Sequence, residues 1–385
     1  MLYNVFDRKA ISKFISQDAI CKGYSIHLPN GRNIWEALIN CLLDCFYAEF
    51  GDIKIIDTVP QISESSKLLD FYGDHFDRIE NRIPCICNVN GNKVFATTDA
   101  LPYLYSKLYL SNYLFSTYTV VRPRSFAVKP FLREEFIRYF QFVFAIEECD
   151  LRCSIDKIRT ATIRFFERIR IPVVLVDRHS DSYYLKKSCF HSVWANLNIE
   201  SVLQCGILRK SFDYGSGYKK RVIDIGGAQR LLASFIYVNS DSHGLFLPYY
   251  MRNFDIIIKS PKKSAILDEF VRCVNNVGGR INYVSSDLSL RVIRRIAIKE
   301  SALAIVVQRV IDGKVFLTIY NRDMTKSEVV TIADVEDWIA KKYNLIERMP
   351  SDLQNSIICS RIKEGKLYLR KGSKNYKIIN DGLFN

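Results

Sequence analysis

Residues 33–60 combine a helical period, a strand and a proline in an order that few folds accommodate. Ile34, Leu38, Cys41, Leu42, Cys45 and Phe46 recur at intervals of three and four, which predicts a helix over 33–50 with one buried stripe. Gly51 follows as its C-cap, IKIID reads as a strand, and that strand stops before Pro60. A long helix leading into a strand that ends at a proline is a specific arrangement.

The apolar pattern then alternates between strand and helix periods. KVFAT reads as a strand, ALPYLYSKLYLSNYLF (100–115) as a helix and YTVV (118–121) as a second strand. Arg122-Pro-Arg124 opens a loop, from which FIRYFQFVFAI (136–146) returns as a long aromatic strand. CSIDKIRTATIRFFERI predicts a helix offering Ile155, Ile158, Ala161, Ile163 and Phe166 for burial. IPVVLVD is a short buried strand, and residues 193–212 supply two more. RVIDIGGAQRLLASFI (221–236) reads as a strand, a glycine turn and an apolar helix. The fold class expected is α+β, with an antiparallel sheet flanked by helices over residues 1–247.

From residue 253 strands and helices alternate. FDIIIKS is a strand, and PKKSAILDEFVRCVNNV is a helix with Pro261 in its first turn. INYVSS is a strand, and DLSLRVIRRIAIKE is a helix that Asp287 can cap. Three further strands and the helix ADVEDWIAKKY complete a separate mixed α/β domain over 253–345, leaving a basic extension at 346–385. In that extension, residues 361–377 hold seven Lys or Arg against the single Glu364. It reads either as a hairpin contacting nucleic acid, with Tyr368 and Tyr376 interleaved, or as a solvated hairpin whose lysines block edge pairing.

Charge and cysteine usage narrow the function. The formal net charge is +14, which favours an anionic partner, although excess lysine also serves solubility. No segment reaches the ~18 uninterrupted apolar residues that span a bilayer, and the start carries charges where a secretory signal would be apolar. The eleven cysteines form no paired CxxC spacing and the five histidines do not cluster with them, so no metal site is expected. Free thiols in a reducing compartment, cytoplasmic or mitochondrial, are the expectation.

In their order and spacing these segments resemble class II aminoacyl-tRNA synthetases of the threonyl, prolyl, histidyl and glycyl subclass, over roughly residues 20–345. Helix 33–50 with Pro60 resembles the family's first motif, which builds its dimer interface. Arg124 and Phe136 stand at the second motif's arginine and adenine-stacking positions. Gly226, Gly227 and Arg230 resemble the third. Residues 253–345 resemble the family's anticodon-binding domain. The resemblance implies that Arg124, Phe136 and Arg230 would hold ATP with magnesium, since attack on the α-phosphate needs fixed cations where charge builds.

The reaction centre departs from that pattern. LQCGILRKSF (203–212) is similar to the threonyl-enzyme strand QCGTIQLDF, with Ile207, Arg209 and Ser211 replacing its threonine, glutamine and aspartate. The second motif's adenine-reading glutamate falls at Phe126, the third motif's first glycine at Ile225, and the threonyl enzyme's zinc-ligand cysteine near Ala100. These exchanges remove polar ligands, which implies a scaffold kept while its chemistry is lost.

The expected protein is thus a synthetase-like homodimer that binds tRNA or another structured nucleic acid without aminoacylating. It is similar in that respect to the accessory subunit of the mitochondrial DNA polymerase, and a protein partner in a larger complex is part of that expectation. The alternative is a divergent, functional threonyl- or prolyl-type ligase using ATP. Nucleic acid is expected at Arg291, Arg294, Arg295 and Lys299 on one helix, and at Arg370, Lys371 and Lys374 in the tail.

Overall fold

The computed structural model of the protein describes residues 29–57, 70–72, 100–121, 136–178, 183–193, 199–215, 217–241, 244–260 and 263–338, and short strands outside them. The chain forms two compact units. The larger comprises Asn4–Glu167, Ile171–Tyr237 and Ser360–Asn385; the smaller comprises Val238–Cys359 with Met1–Tyr3 and Arg168–Arg170.

Most of the larger unit is one sheet. Five of its strands are β3 (Lys54–Ile55), β7 (Tyr113–Val121), β8 (Phe136–Ile146), β9 (Val173–Arg178) and β10 (Tyr184–Val193). The others are β11 (Ile199–Leu208), β12 (Phe212–Asp213), β13 (Lys219–Ala228) and β21 (Lys377–Ile378). The order is β21-β9-β10-β11-β13-β8-β7-β3, with β12 beside β13. Every pairing is antiparallel except that of β3 with β7. Two small sheets accompany it, one of β1 (Ile15–Gln17) and β2 (Ser25–His27), the other of β4 (Ile62–Glu64), β5 (Cys85–Val89) and β6 (Asn92–Ala96).

Strand β8 lies at the centre, which is why its sequence is almost continuously apolar. Phe140, Phe142 and Phe144 face helix α1 (Pro29–Phe50), where Phe46 stacks on Phe142 at 4.4 Å and Phe50 meets Phe144 at 4.8 Å. Ile137, Val143 and Ala145 face the other way, into a core with Tyr118, Tyr184 and Leu104 of helix α2 (Leu101–Ser106). All six residues picked from the helical period are buried in α1. Gly51 at φ 70° donates its N–H to the Tyr47 carbonyl, the left-handed closure a glycine allows without a Cβ clash. Pro60 lies outside the described residues.

Three local readings are corrected. The helix expected over 100–115 ends at Ser106, because Tyr113, Leu114 and Phe115 pair with Phe144, Val143 and Phe142 of β8. In helix α3 (Leu151–Arg168), Ile158, Ala161 and Phe166 are buried as expected, but Ile155 is exposed and Ile163 half-buried. Phe165, Ser154 and Thr162 take the inward positions. The glycines of IDIGGAQR sit in strand β13, not in a turn. A Cβ at Gly227 would collide with the Phe140 ring and the Val202 carbonyl, so close packing demands that glycine.

The smaller unit begins with a hairpin, β14 (Ser240–Asp241) and β15 (Gly244–Leu245). Its main sheet contains β16 (Ile256–Lys259), β17 (Ile281–Val284), β18 (Ala304–Ile311), β19 (Lys314–Asn321) and β20 (Ser327–Val330), in the order β17-β16-β18-β19-β20. The first three strands are parallel. Helix α5 (Ala265–Asn276), which comes after helix α4 (Arg230–Val238) in the chain, packs with Ile256 and Ile258 on one face. Helix α6 (Leu290–Glu300) packs with Ile257 and Ile305 on the other. The caps differ from those expected. Ser264 and Ser289 accept from the N–H groups of Leu267 and Val292, so Pro261 and Asp287 precede the helices.

A buried ion cluster lies within this unit, tying its first residues to the start of β17. The Asp255 carboxylate is fully buried and accepts from the Arg280 backbone N–H at 2.9 Å and its Nε at 3.2 Å, with Arg252 Nε at 3.4 Å. Arg280 also donates to the carbonyls of Arg252 and Tyr249.

Candidate functional site

Register decides which residues of the larger sheet share a face. Opposed residues in an antiparallel pair point the same way, so Gln204, Gly206 and Leu208 of β11 lie on the α2 side with Asp224 and Gly226 of β13 and Gln141 of β8. Tyr118 donates to Gln141 Oε1 at 2.7 Å, Gln141 Nε2 donates to Asp224 Oδ1 at 2.8 Å, and Tyr184 donates to Asp224 Oδ2 at 2.6 Å. Both oxygens of this buried carboxylate are therefore engaged by the chain's own side chains. The Tyr184 ring also lies over Gly206 so closely that a Cβ there would collide with it. The polar floor of this face is occupied by protein.

The same register corrects part of the sequence reading. Ile207 and Ile225 fall on the opposite face, where Ile225 is buried opposite Phe142 and Cys205. An isoleucine at either place packs toward the helices and takes nothing from the α2-side face. Arg209 is exposed and its backbone N–H donates to the Tyr183 carbonyl; the Ser211 carbonyl accepts from Tyr105. Desolvation, followed by the Asp213 charge, pushes the Tyr105 hydroxyl up to about 12. Desolvation, with Asp224 and Cys189 behind it, does the same for the Cys205 thiol, also up to about 12.

Of the residues expected to hold ATP, Arg230 opens helix α4 and is half-buried, one residue after Gln229, whose side chain accepts from the Arg138 N–H. Phe136 opens β8 opposite Val121; its side chain, Arg124 and Phe126 lie outside the described residues. The sequence reading missed Asp224, Gln141, Tyr118 and Tyr184. The signal available was a polar residue interrupting an otherwise apolar central strand, as Asp224 does in RVIDIGG and Gln141 in FIRYFQFVFAI.

Helix α6 presents the expected cations. Arg291, Arg294, Arg295 and Lys299 are exposed, while Ile293 and Ala297 are buried and Leu290 and Ile296 pack at the edge of that core. Lys299 lies 3.9 Å from Glu300, a contact of little consequence with its side chain 75% exposed. The three arginines make no ion pair among the described residues. Arg370, Lys371 and Lys374 lie outside the described residues, but β21 just after them joins the sheet of the larger unit at β9.

Glu269, Cys273 and Glu336 come together on the smaller unit. Arg272 already pairs with both carboxylates, at 2.5 Å to Glu269 and 2.9 Å to Glu336, so their charge is met by a cation of the chain. No helix among the described residues is long and apolar enough to cross a membrane.

Compared by sequence, the chain matches no protein-family model and no curated protein. Compared by structure, it is similar to Giardia lamblia prolyl-tRNA synthetase in complex with prolyl-adenylate, at TM-score 0.70 and 14% identity, covering 92% of this chain and 81% of that one. It is also similar to Cryptosporidium parvum prolyl-tRNA synthetase complexed with halofuginone and AMPPNP, at TM-score 0.66 and 15% identity over 94% and 82% of the two chains. The same enzyme with L-proline and AMP matches at 0.65 and 14%, over 94% and 83%. With most of both chains superposed, the protein has the fold of the class II prolyl-tRNA synthetases.

Proposed function

We propose that the protein is a synthetase-fold binder of tRNA or another structured nucleic acid that does not aminoacylate. One observation carries the loss of the reaction: Tyr184 lies on Gly206 and, with Gln141, takes both oxygens of Asp224, so the face where a small substrate would rest is filled by side chains. The exposed cations of α6 support the binding half, because phosphate contacts dominate nucleic-acid affinity. A reducing compartment, cytoplasm or mitochondrion, belongs to the same reading, since the spacing of the eleven cysteines outlines no disulfide framework.

Amino-acid-dependent ATP–pyrophosphate exchange is the deciding assay. No exchange is expected with proline, threonine, histidine or glycine. Robust exchange with any of them would reverse the reading in favour of a divergent ligase, which the prolyl-tRNA synthetase fold and the half-buried Arg230 favour. For tRNA, the Arg294→Ala/Arg295→Ala variant is expected to bind more weakly, with the log–log salt slope flatter by about two units. An unchanged slope would assign the basic charge to solubility.

A homodimer belongs to the same reading. Strand β3 ends the sheet with its outer edge unpaired among the described residues, and Ile55 on it is 57% exposed. Sedimentation at micromolar concentration is expected to show a dimer; a monomer would count against it.

A further inference from the structure

Seven cysteines among the described residues are free, and burial sorts them. Cys41, Cys45, Cys189 and Cys273 are buried and Cys205 is half-buried, whereas Cys149 and Cys153 are exposed. A free cysteine ordinarily packs inside as a small apolar residue, so packing does not account for these two. A 3₁₀ turn over Glu148–Asp150 carries Cys149 directly into helix α3, which holds Cys153 in its first turn. Side chains four residues apart along a helix are neighbours, and both cysteines line one groove of about 480 Å³. Glu49, at the end of α1, also lines it, with Arg152, Asp156, Lys157 and Thr160 of α3. Glu49 is held by Arg164 at 3.0 Å, but Arg152, Asp156 and Lys157 make no ion pair among the described residues. Lys157 Nζ lies instead 5.9 Å from the Phe50 ring centre. Two exposed cations with a carboxylate and a hydroxyl beside them suit a small molecule that itself carries carboxylates and an ammonium group.

We propose that this groove is a thiol–disulfide exchange site for a small zwitterionic peptide disulfide, the chemical class of oxidised glutathione. Arg152 and Lys157 take its carboxylates, and Asp156 and Thr160 take its ammonium group. Lys157 stands one helical turn beyond Cys153, whereas Glu148 and Asp150 flank Cys149, so an anionic ligand is delivered to Cys153. The Cys153 thiolate attacks one sulfur of the bound disulfide, whose S–S bond breaks as the new one forms. The far half leaves as a thiolate and takes up the proton that Cys153 gave away. One protein thiol is thereby oxidised to a mixed disulfide and one small thiol is released, with no further reagent. A bridge between the two cysteines needs Cβ atoms about 3.5–4.5 Å apart, against about 5–6 Å for helical neighbours, so the mixed disulfide is the product that accumulates. None of these residues belongs to the face around Asp224 or to α6.

The test incubates the full chain with oxidised glutathione at neutral pH and follows intact mass and peptide maps. One glutathionyl group per chain is expected on Cys153, removed again by dithiothreitol. Cys153→Ser should abolish it and Cys149→Ser should keep it. In the Arg152→Ala/Lys157→Ala variant, adduct formation is expected to slow at least about fivefold relative to alkylation of Cys153 by neutral iodoacetamide. That ratio separates recognition of the ligand from mere exposure of a thiol. Hydroxyethyl disulfide, which lacks the charged groups, should not distinguish the charge variant from wild type once rates are scaled in the same way. A chain that takes up no glutathione, or takes it mainly on another cysteine, would overturn the proposal. So would a charge variant whose glutathione and iodoacetamide rates fall together.

Discussion

The Asp255→Ala variant is expected to lose about 3–5 kcal/mol of stability, the scale of removing one member of a buried charged cluster. Asp255 is fully buried beside Arg252, itself buried, and Arg280, so its removal takes a carboxylate away from a buried guanidinium. The loss should fall in the smaller unit, where Asp255 also passes its carbonyl to the Leu303 N–H and so anchors β16 beside β18. Hydrogen exchange in β16 and β18 of the full chain under mild urea checks this, with β8 as the internal reference. Neutralising both buried partners, Arg252→Met/Asp255→Leu, should cost less than Asp255→Ala alone, because a buried guanidinium is removed together with its carboxylate. If the single variant melts with the wild type, the cluster is not holding the unit together.

Phe142→Ala is expected to cost a similar amount, about 3–5 kcal/mol, from lost burial and the cavity left behind. Phe142 is fully buried and touches rings on three elements: Phe46 of α1 at 4.4 Å, Phe115 of β7 at 4.5 Å and Phe144 of its own strand at 5.8 Å. It therefore links the sheet to the helix whose period was the plainest feature of the sequence. Denaturant unfolding should show the loss with Ile155→Ala as a control, since Ile155 is 37% exposed and its truncation should change stability by less than about 0.5 kcal/mol. A variant within 1 kcal/mol of wild type would mean that the sheet–helix seam collapses onto the gap.

The candidate site was partly legible for a chemical reason. Cations that must be solvated announce themselves by spacing, so Arg291, Arg294 and Arg295 could be placed on the exposed side of a helix whose apolar residues recur at three and four. Ile207 could not be interpreted in the same way. Its neighbours matched a ligand strand, yet whether a strand residue faces a substrate or a helix depends on register, and a shift of one residue exchanges the faces. Asp224 and Tyr184 escaped notice because their partnership spans 40 residues of chain and exists only once β10, β11 and β13 are side by side.

Elements whose signal is local could be read directly along the chain. The stripe of α1 and its Gly51 cap, the apolar run of β8 and the α/β alternation after residue 253 are written in consecutive residues, because period and capping are properties of one segment. Other features depend on which segments come side by side. Tyr113–Phe115 carry a pattern that a helix or a strand could use, and pairing with β8 made them a strand. Gly227 looked like turn chemistry, and the Phe140 ring made it a packing residue within β13. The tail reads as a basic extension separate from both domains, yet the pairing of β21 with β9 joins its strand to the sheet of the larger unit. A backbone hydrogen-bond ladder reads no side chains, so no pattern of residues along the chain could have named its partner.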